Sequence, residues 1–127
     1  MTLRPFLLST VLFPLAALAG TALGNPVAGI LLVDGADVHV QDVIATPCNT
    51  TTPDSFVILD TLQVNQSSSF QLFNDTYCDM IINVRWSPGG PLVAVPVSGF
   101  DELDVDPSGA TITIELDESA GTATFTQ

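Results

Sequence analysis

Apolar and polar side chains alternate along most of the chain that follows the first 24 residues. A period of two is typical of β-strands that bury one face. Val27 to Val33 is a continuous apolar run that predicts a buried strand, and Asp34-Gly35 predicts a turn after it. Further alternating stretches predict inward-facing side chains at Val38, Val40 and Val43; Phe56, Ile58, Leu62 and Val64; Phe70 and Leu72; Met80, Ile82, Val84 and Trp86; Val93, Val95 and Val97; Ile112, Ile114 and Leu116; and Ala123 and Phe125.

Clusters of Pro, Gly, Ser, Thr and Asp separate these stretches and predict loops, above all at residues 45–54, 87–91 and 101–109. Seven to nine short strands with this spacing predict an all-β fold. The expected architecture is an antiparallel β-sandwich that resembles immunoglobulin-like or transthyretin-like domains, and a β-barrel is the alternative. Pro96 predicts an edge position or a bulge for its strand.

The resemblance to immunoglobulin domains extends to architecture alone. No Trp lies between the two cysteines, and Tyr77 directly precedes Cys78 instead of standing two residues before it. The pattern therefore assigns no family.

The first residues have the three parts of a secretory signal. Arg4 is followed by an apolar stretch, and small residues then allow cleavage after Ala19 or, as we prefer, after residue 24. The apolar stretch is shorter than a membrane span, and Pro14 interrupts it. We therefore expect a signal peptide at 1–24 and a single mature β-domain at 25–127, secreted and without a membrane anchor.

The charge balance is strongly acidic, with a formal net charge of −12 from 14 acidic and two basic residues. Removal of Arg4 with the signal peptide leaves Arg85 as the only basic residue of a lysine-free domain. Such a domain is repelled by nucleic acids and by anionic membrane surfaces. The partners that remain are proteins or glycans, and the charge itself is explained by solubility.

Cys48 and Cys78 are the only cysteines. In a secreted chain an even number predicts a disulfide, and two cysteines permit a single connectivity. Closure of the loop between them stabilises the fold by about 3–4 kcal/mol on the loop-entropy model. Free buried thiols are the alternative.

Three sequons for N-glycosylation begin at Asn49, Asn65 and Asn74. This number exceeds what the composition predicts by chance. The sequons indicate a eukaryotic secretory route and predict that all three asparagines are exposed on loops or strand edges.

A calcium-loop pattern begins at Asp104, with acidic or hydroxyl residues at alternate positions, Gly109 at the sixth and Glu115 at the twelfth. The flanking sequence is strand-like, whereas an EF-hand needs helices on both sides. We therefore favour an acidic turn that enters a strand. The alternative is a non-helical calcium site formed by Asp101, Glu102, Asp104 and Asp106.

Catalytic motifs are weak. His39 is the only histidine, and it lies in a predicted strand with no nucleophile motif to support a Ser-His-Asp site. Paired carboxylates of a small hydrolase stay an alternative, although so many acidic residues form pairs by chance. Of the two largest aromatic residues, Trp86 is expected in the core and Tyr77 at the surface.

The expected function is therefore non-enzymatic surface recognition of a protein or a cell-wall glycan. The short, acidic, cysteine-poor chain resembles fungal small secreted proteins in general character. The predicted contact loops are 45–54, 87–91 and 101–109. The alternatives are a small secreted hydrolase that uses paired carboxylates and a calcium-dependent structural or adhesion module.

Overall fold

The computed structural model describes residues 27–105 and 112–127. The predicted signal peptide lies outside these residues. Within them the chain forms strands and connecting turns but no helix, and so offers no helix that is long and apolar enough to cross a membrane. The strands are β1 (Val27–Asp34), β2 (Val38–Pro47), β3 (Asp54–Leu62), β4 (Ser67–Gln71), β5 (Thr76–Arg85), β6 (Leu92–Ser98), β7 (Leu103–Asp104), β8 (Ile112–Asp117) and β9 (Thr122–Thr126).

Hydrogen bonds join the strands into one path in the order β3-β2-β5-β6-β9-β8-β1-β4, and the short β7 pairs with β5. The strands at the two ends of this path, β3 and β4, lie against each other. The sheet is therefore nearly closed. The predicted all-β fold is confirmed, in the barrel-like form that is the alternative given above.

The sheet is not purely antiparallel, and here the sequence-based expectation is corrected. β1 pairs in parallel with β8, and β6 pairs in parallel with β9. Hydrophobic alternation shows which face of a strand is buried but carries no information about the direction of its neighbours.

Pro96 lies at the point where β6 passes from one neighbour to the next. Residues Leu92 to Pro96 pair with β5, and Val97 and Ser98 then pair with β9. β6 is therefore internal in the strand order, but Pro96 pairs with β5 alone and so has a local edge position, one of the two positions predicted for it. Proline lacks a backbone N–H, so it is tolerated where one ladder ends and the next begins.

The core is the inside of this sheet, and nearly all the predicted inward-facing residues line it. The buried positions of β2 show how the alternation is maintained through an irregularity. Val38 and Val40 are buried, and Val43 and Ala45 continue on the same face after a shift of one residue. A β-bulge at Gln41 causes the shift, since Val40 pairs with Val84 and Asp42 pairs with Asn83.

Three predictions of burial or exposure are wrong, one of them for Val93, which was expected in the core but is 36% exposed. Tyr77 was expected at the surface but is fully buried, whereas Val64 was expected in the core but is 49% exposed beyond the end of β3. Between Tyr77 and Met80 two consecutive residues point outward, because a bulge interrupts the β2–β5 pairing at Thr46 and Pro47. Trp86 packs against the core as predicted, although it is only partly buried.

Two of the three predicted loops, 45–54 and 101–109, contain strand residues, and positions 106–109 lie outside the described residues. β2 extends to Pro47 and β3 begins at Asp54, so that the first loop spans 48–53. Within the predicted loop 101–109, Leu103 and Asp104 form β7. The loop at 87–91 lies between β5 and β6 as predicted.

Candidate functional site

The predicted disulfide between Cys48 and Cys78 is present and ties the end of β2 to the start of β5, with a Cα–Cα distance of 4.8 Å. Both residues are exposed. The backbone N–H of Cys48 also donates to the carbonyl oxygen of Thr76 over 2.9 Å. We call this the disulfide end of the sheet; it also holds the loops 48–53, 72–75 and 99–102.

A buried tyrosine lies beside the disulfide. The phenol of Tyr77 donates a hydrogen bond to Asp54 Oδ2 over 3.0 Å. Burial raises the pKa of Tyr77 well above its ordinary value, and the hydrogen bond and negative charge of Asp54 raise the pKa further. The phenol therefore stays protonated and supports the start of β3.

Three of the four acidic residues of the predicted calcium site, Asp101, Glu102 and Asp104, lie near the same end. Asp104 Oδ1 accepts a hydrogen bond from the Thr76 hydroxyl over 3.1 Å. In 27–105 and 112–127, the only group of three potential metal ligands within 4.8 Å joins Glu102 to the two cysteine sulfurs. Sulfurs in a disulfide are not thiolates and do not ligate metals. Asp106 lies outside the described residues, so the calcium site stays a prediction.

The three sequon asparagines are exposed, as N-glycosylation requires. Asn49 and Asn74 lie in loops at the disulfide end, and Asn65 lies in the β3–β4 loop at the opposite end. The Asn65 backbone N–H donates to the Leu32 carbonyl over 2.7 Å, and its φ of 69° is one that asparagine adopts more readily than most residues.

A second region, which sequence reasoning did not single out, is the outward side of four adjacent strands. We call it the outer face. It consists of Ser55 and Val57 on β3; His39, Asp42 and Ile44 on β2; Ile81, Asn83 and Arg85 on β5; and Leu92, Ala94 and Pro96 on β6.

Strand register arranges the outer face in rows across the sheet. One row runs from Ser55 through Ile44 and Ile81 to Pro96, and places two isoleucines side by side at its centre. Both isoleucines are only partly buried. The sequence carries a signal for this apolar row. The outward positions of β2 and β5 include Ile44 and Ile81, whereas a strand face exposed to solvent usually has polar residues.

The neighbouring rows carry the polar side chains. Asp42 and Asn83 are paired residues, and Asn83 Nδ2 donates to Asp42 Oδ1 over 2.6 Å. His39 and Arg85 are also paired, which brings together the only histidine and the only basic residue of 27–127. The β2–β5 register produces this pairing, and the sequence alone does not reveal that register.

These polar groups are held by hydrogen bonds rather than free to move. His39 Nε2 lies 2.9 Å from Gln41 Oε1, and Arg85 Nη1 donates to the Gly90 carbonyl over 2.8 Å. Side chains fixed in this way lose little conformational entropy when a partner binds.

The outer face ends at β3, where apolar side chains are most exposed. Val57 is 68% exposed and Leu59 is 60% exposed. Leu59 lies in a bulge in which two β3 residues oppose one residue of β2. Its φ of 53° is unusual for a leucine and costs of order 1–3 kcal/mol, which is typical of sites where strain serves a function.

No protein-family model and no curated protein matches this chain. The chain is similar to a solved structure, the NMR structure of a protein from Eubacterium rectale. The two share 18% sequence identity with a TM-score of 0.37, and the similarity covers 81% of this chain and 89% of that one.

Proposed function

We propose that this protein is a secreted, N-glycosylated, non-enzymatic domain that recognises another protein through its outer face. The observation that carries the proposal is the central isoleucine pair, Ile44 and Ile81, surrounded by polar residues that are held by hydrogen bonds. Interfaces between proteins have this arrangement, with an apolar centre inside a polar rim.

The secretory part of the proposal rests on the disulfide and the sequons. A disulfide in a domain of this size is typical of an oxidising compartment. The exposure of Asn49, Asn65 and Asn74 supports glycosylation at each of them. None of the three asparagines belongs to the outer face.

A protein partner is favoured over a glycan because of the aromatic residues. Sugar-binding surfaces commonly present an exposed aromatic ring on which a sugar packs. Tyr77 is buried, Trp86 packs against the core, and Phe73, which is 48% exposed, lies in the 72–75 loop outside the outer face. The apolar side chains at the centre of the outer face, Ile44 and Ile81, are aliphatic.

The test is a parallel screen of the mature protein against a panel of extracellular proteins and a glycan array. An Ile44→Arg variant serves as the outer-face probe, and Val33→Arg, a change at an exposed β1 valine, is its matched control. We expect a protein ligand that binds the wild type and the control but not Ile44→Arg. Binding confined to glycans, or unaffected by Ile44→Arg, contradicts the proposal.

A small hydrolase that uses paired carboxylates stays the alternative hypothesis. It is tested by assaying the same preparation on glycan and ester substrates. Turnover that is lost on replacement of a specific pair of carboxylates would replace recognition as the function.

A further inference from the structure

Aromatic side chains close the seam between β3 and β4. These strands are the two ends of the strand order and lie against each other, but no backbone ladder joins them in the part of the chain that the structure describes. The ring of Phe56 on β3 instead contacts Phe70 on β4 and Phe73 just after β4, with centroids 5.5 and 5.4 Å away. The packing of the β3–β4 seam therefore depends on these three rings.

Phe73 is the exposed member of this cluster. Phe56 and Phe70 are buried, whereas Phe73 is 48% exposed, the highest exposure of any aromatic side chain in 27–105 and 112–127. The ring planes of Phe56 and Phe73 are tilted by 49°, so that one side of Phe73 rests on the buried ring and the other side is open to water. Covering that open side would remove further apolar area from water and stabilise the seam.

The residue that follows Phe73 is the acceptor asparagine of the third sequon, Asn74-Asp75-Thr76. Asn74 is exposed and lies in the bend between β4 and β5. Consecutive Cα atoms are about 3.8 Å apart, so a sugar attached to Asn74 Nδ2 is held within reach of the Phe73 ring. A covalent tether makes the contact intramolecular, so that even a weak attraction between sugar and ring is populated.

An aromatic neighbour distinguishes this sequon from the other two. Asn49 follows the disulfide-bonded Cys48, and Asn65 follows Val64, an aliphatic residue that is 49% exposed. The face of an aromatic ring is electron-rich and attracts the C–H groups that one side of a sugar ring presents. Of the three predicted glycans, the one on Asn74 therefore has the most favourable apolar group beside it.

We propose that the first N-acetylglucosamine of a glycan on Asn74 packs on the open side of Phe73 and covers the β3–β4 seam. The inference rests on the N-glycosylation in the proposed function and gives one of the three glycans a structural role. A second copy of the chain is a poorer occupant of the Phe73 surface, because each domain carries a large negative charge that opposes association of two copies.

The test is a double-mutant cycle on protein secreted from a eukaryotic host that adds high-mannose glycans. The four proteins are the wild type, Asn74→Gln, Phe73→Ser and the double variant, and mass spectrometry establishes glycan occupancy in each. We expect loss of the Asn74 glycan to lower the Tm by roughly 4 °C when Phe73 is present and by less than about 1 °C when Ser replaces it. Trimming the wild type to one N-acetylglucosamine per site should retain the higher Tm.

Two controls separate the glycan from the substitution. Asn49→Gln removes a glycan at the same end of the sheet, from a site with no aromatic neighbour, and should change the Tm by less than about 1 °C. Wild type and Asn74→Gln made without glycans in a bacterial periplasm should melt alike.

NMR gives a readout of the contact itself. We expect nuclear Overhauser effects between the Phe73 ring and the first sugar of the Asn74 glycan, and upfield ring-current shifts of the C–H protons of that sugar. Both signals should disappear in Phe73→Ser, whereas the sugars on Asn49 and Asn65 should show neither signal.

Three results overturn the inference alone. They are an equal effect of Asn74→Gln with and without Phe73, an unchanged Tm after complete removal of the glycan, and a Phe73-dependent dimer of the glycosylated protein in sedimentation. Each of these leaves the proposed function intact, because Asn74 is still occupied. An Asn74 that carries no glycan in the secreted wild type overturns both the inference and the glycosylation on which it rests.

Discussion

The phenol oxygen of Tyr77 lies 3.0 Å from Asp54 Oδ2, and this hydrogen bond joins β5 to the first residue of β3. The contact is adjacent to the Cys48–Cys78 disulfide, which ties β2 to β5 at the same end. Three neighbouring strands of the outer face are therefore fixed relative to one another at the disulfide end. A rigid sheet can present a preformed binding surface.

Replacement of Tyr77 by Phe removes the hydrogen bond and keeps the ring in the core. We expect the free energy of unfolding to fall by about 1–2 kcal/mol, because the partly buried Asp54 carboxylate loses its donor. Urea denaturation measures the change. Asp54→Asn keeps an acceptor oxygen and should cost less; a Tyr77→Phe protein as stable as the wild type would show that the contact is dispensable.

The Tyr77 phenol also makes the free energy of unfolding depend on pH in the alkaline range. Its folded-state pKa is raised, so its contribution is fully present below the ordinary value of 10.0 and is lost as the pH rises above that value. In that range the unfolded chain releases the phenol proton, whereas the folded chain retains it.

No other tyrosine and no lysine titrates in the same pH range, because Tyr77 is the only tyrosine and the chain has no lysine. We expect denaturation midpoints of the wild type to fall between roughly pH 9 and pH 11, and those of Tyr77→Phe to change less. Ultraviolet absorbance reports the phenolate directly. A phenolate that forms near the ordinary pKa while the protein is still folded contradicts the burial of Tyr77.

The position of Tyr77 also shows where sequence reasoning fails. Alternation correctly placed Met80, Ile82 and Val84 in the core, since they follow one another without interruption. Tyr77 is out of phase with them because of the bulge opposite Pro47. Beyond a bulge, each residue of the strand points to the opposite face of the sheet from the one that simple alternation predicts. The position of a bulge depends on the partner strand rather than on local sequence.

Two adjacent residues, Phe56 and Val57, test which face of β3 is buried. Phe56 is buried and contacts Phe70 and Phe73 with ring centroids 5.5 and 5.4 Å apart, whereas Val57 points outward. We expect Phe56→Ala to lower the free energy of unfolding by about 3–5 kcal/mol and Val57→Ala to change it by less than about 0.5 kcal/mol. Similar losses for both variants in thermal denaturation would show that the assigned faces are incorrect.

Glycosylation is tested by expression in a eukaryotic secretory host. Because all three sequon asparagines are exposed, we expect Asn49→Gln, Asn65→Gln and Asn74→Gln each to remove the mass of one glycan. Mass spectrometry of the secreted protein gives the result, and its N-terminal sequence identifies the cleavage site. A secreted protein without glycans contradicts this part of the account.

The candidate site was less predictable than the fold. The disulfide followed from two cysteines and the sequons from three short motifs, because each of these signals is local in sequence. The outer face depends on which strands are neighbours: His39 meets Arg85, and Ile44 meets Ile81, only through the β2–β5 register. No spacing along the chain encodes that register by itself.

The central claim is that the outer face binds the protein partner. The most direct measurement is the calorimetric affinity of the identified ligand for wild type, Ile81→Arg and Val33→Arg, with each variant first shown to melt like the wild type. We predict a loss of more than about tenfold for Ile81→Arg, at the centre of the face, and none for Val33→Arg on β1. Equal affinity of Ile81→Arg and wild type would contradict the account.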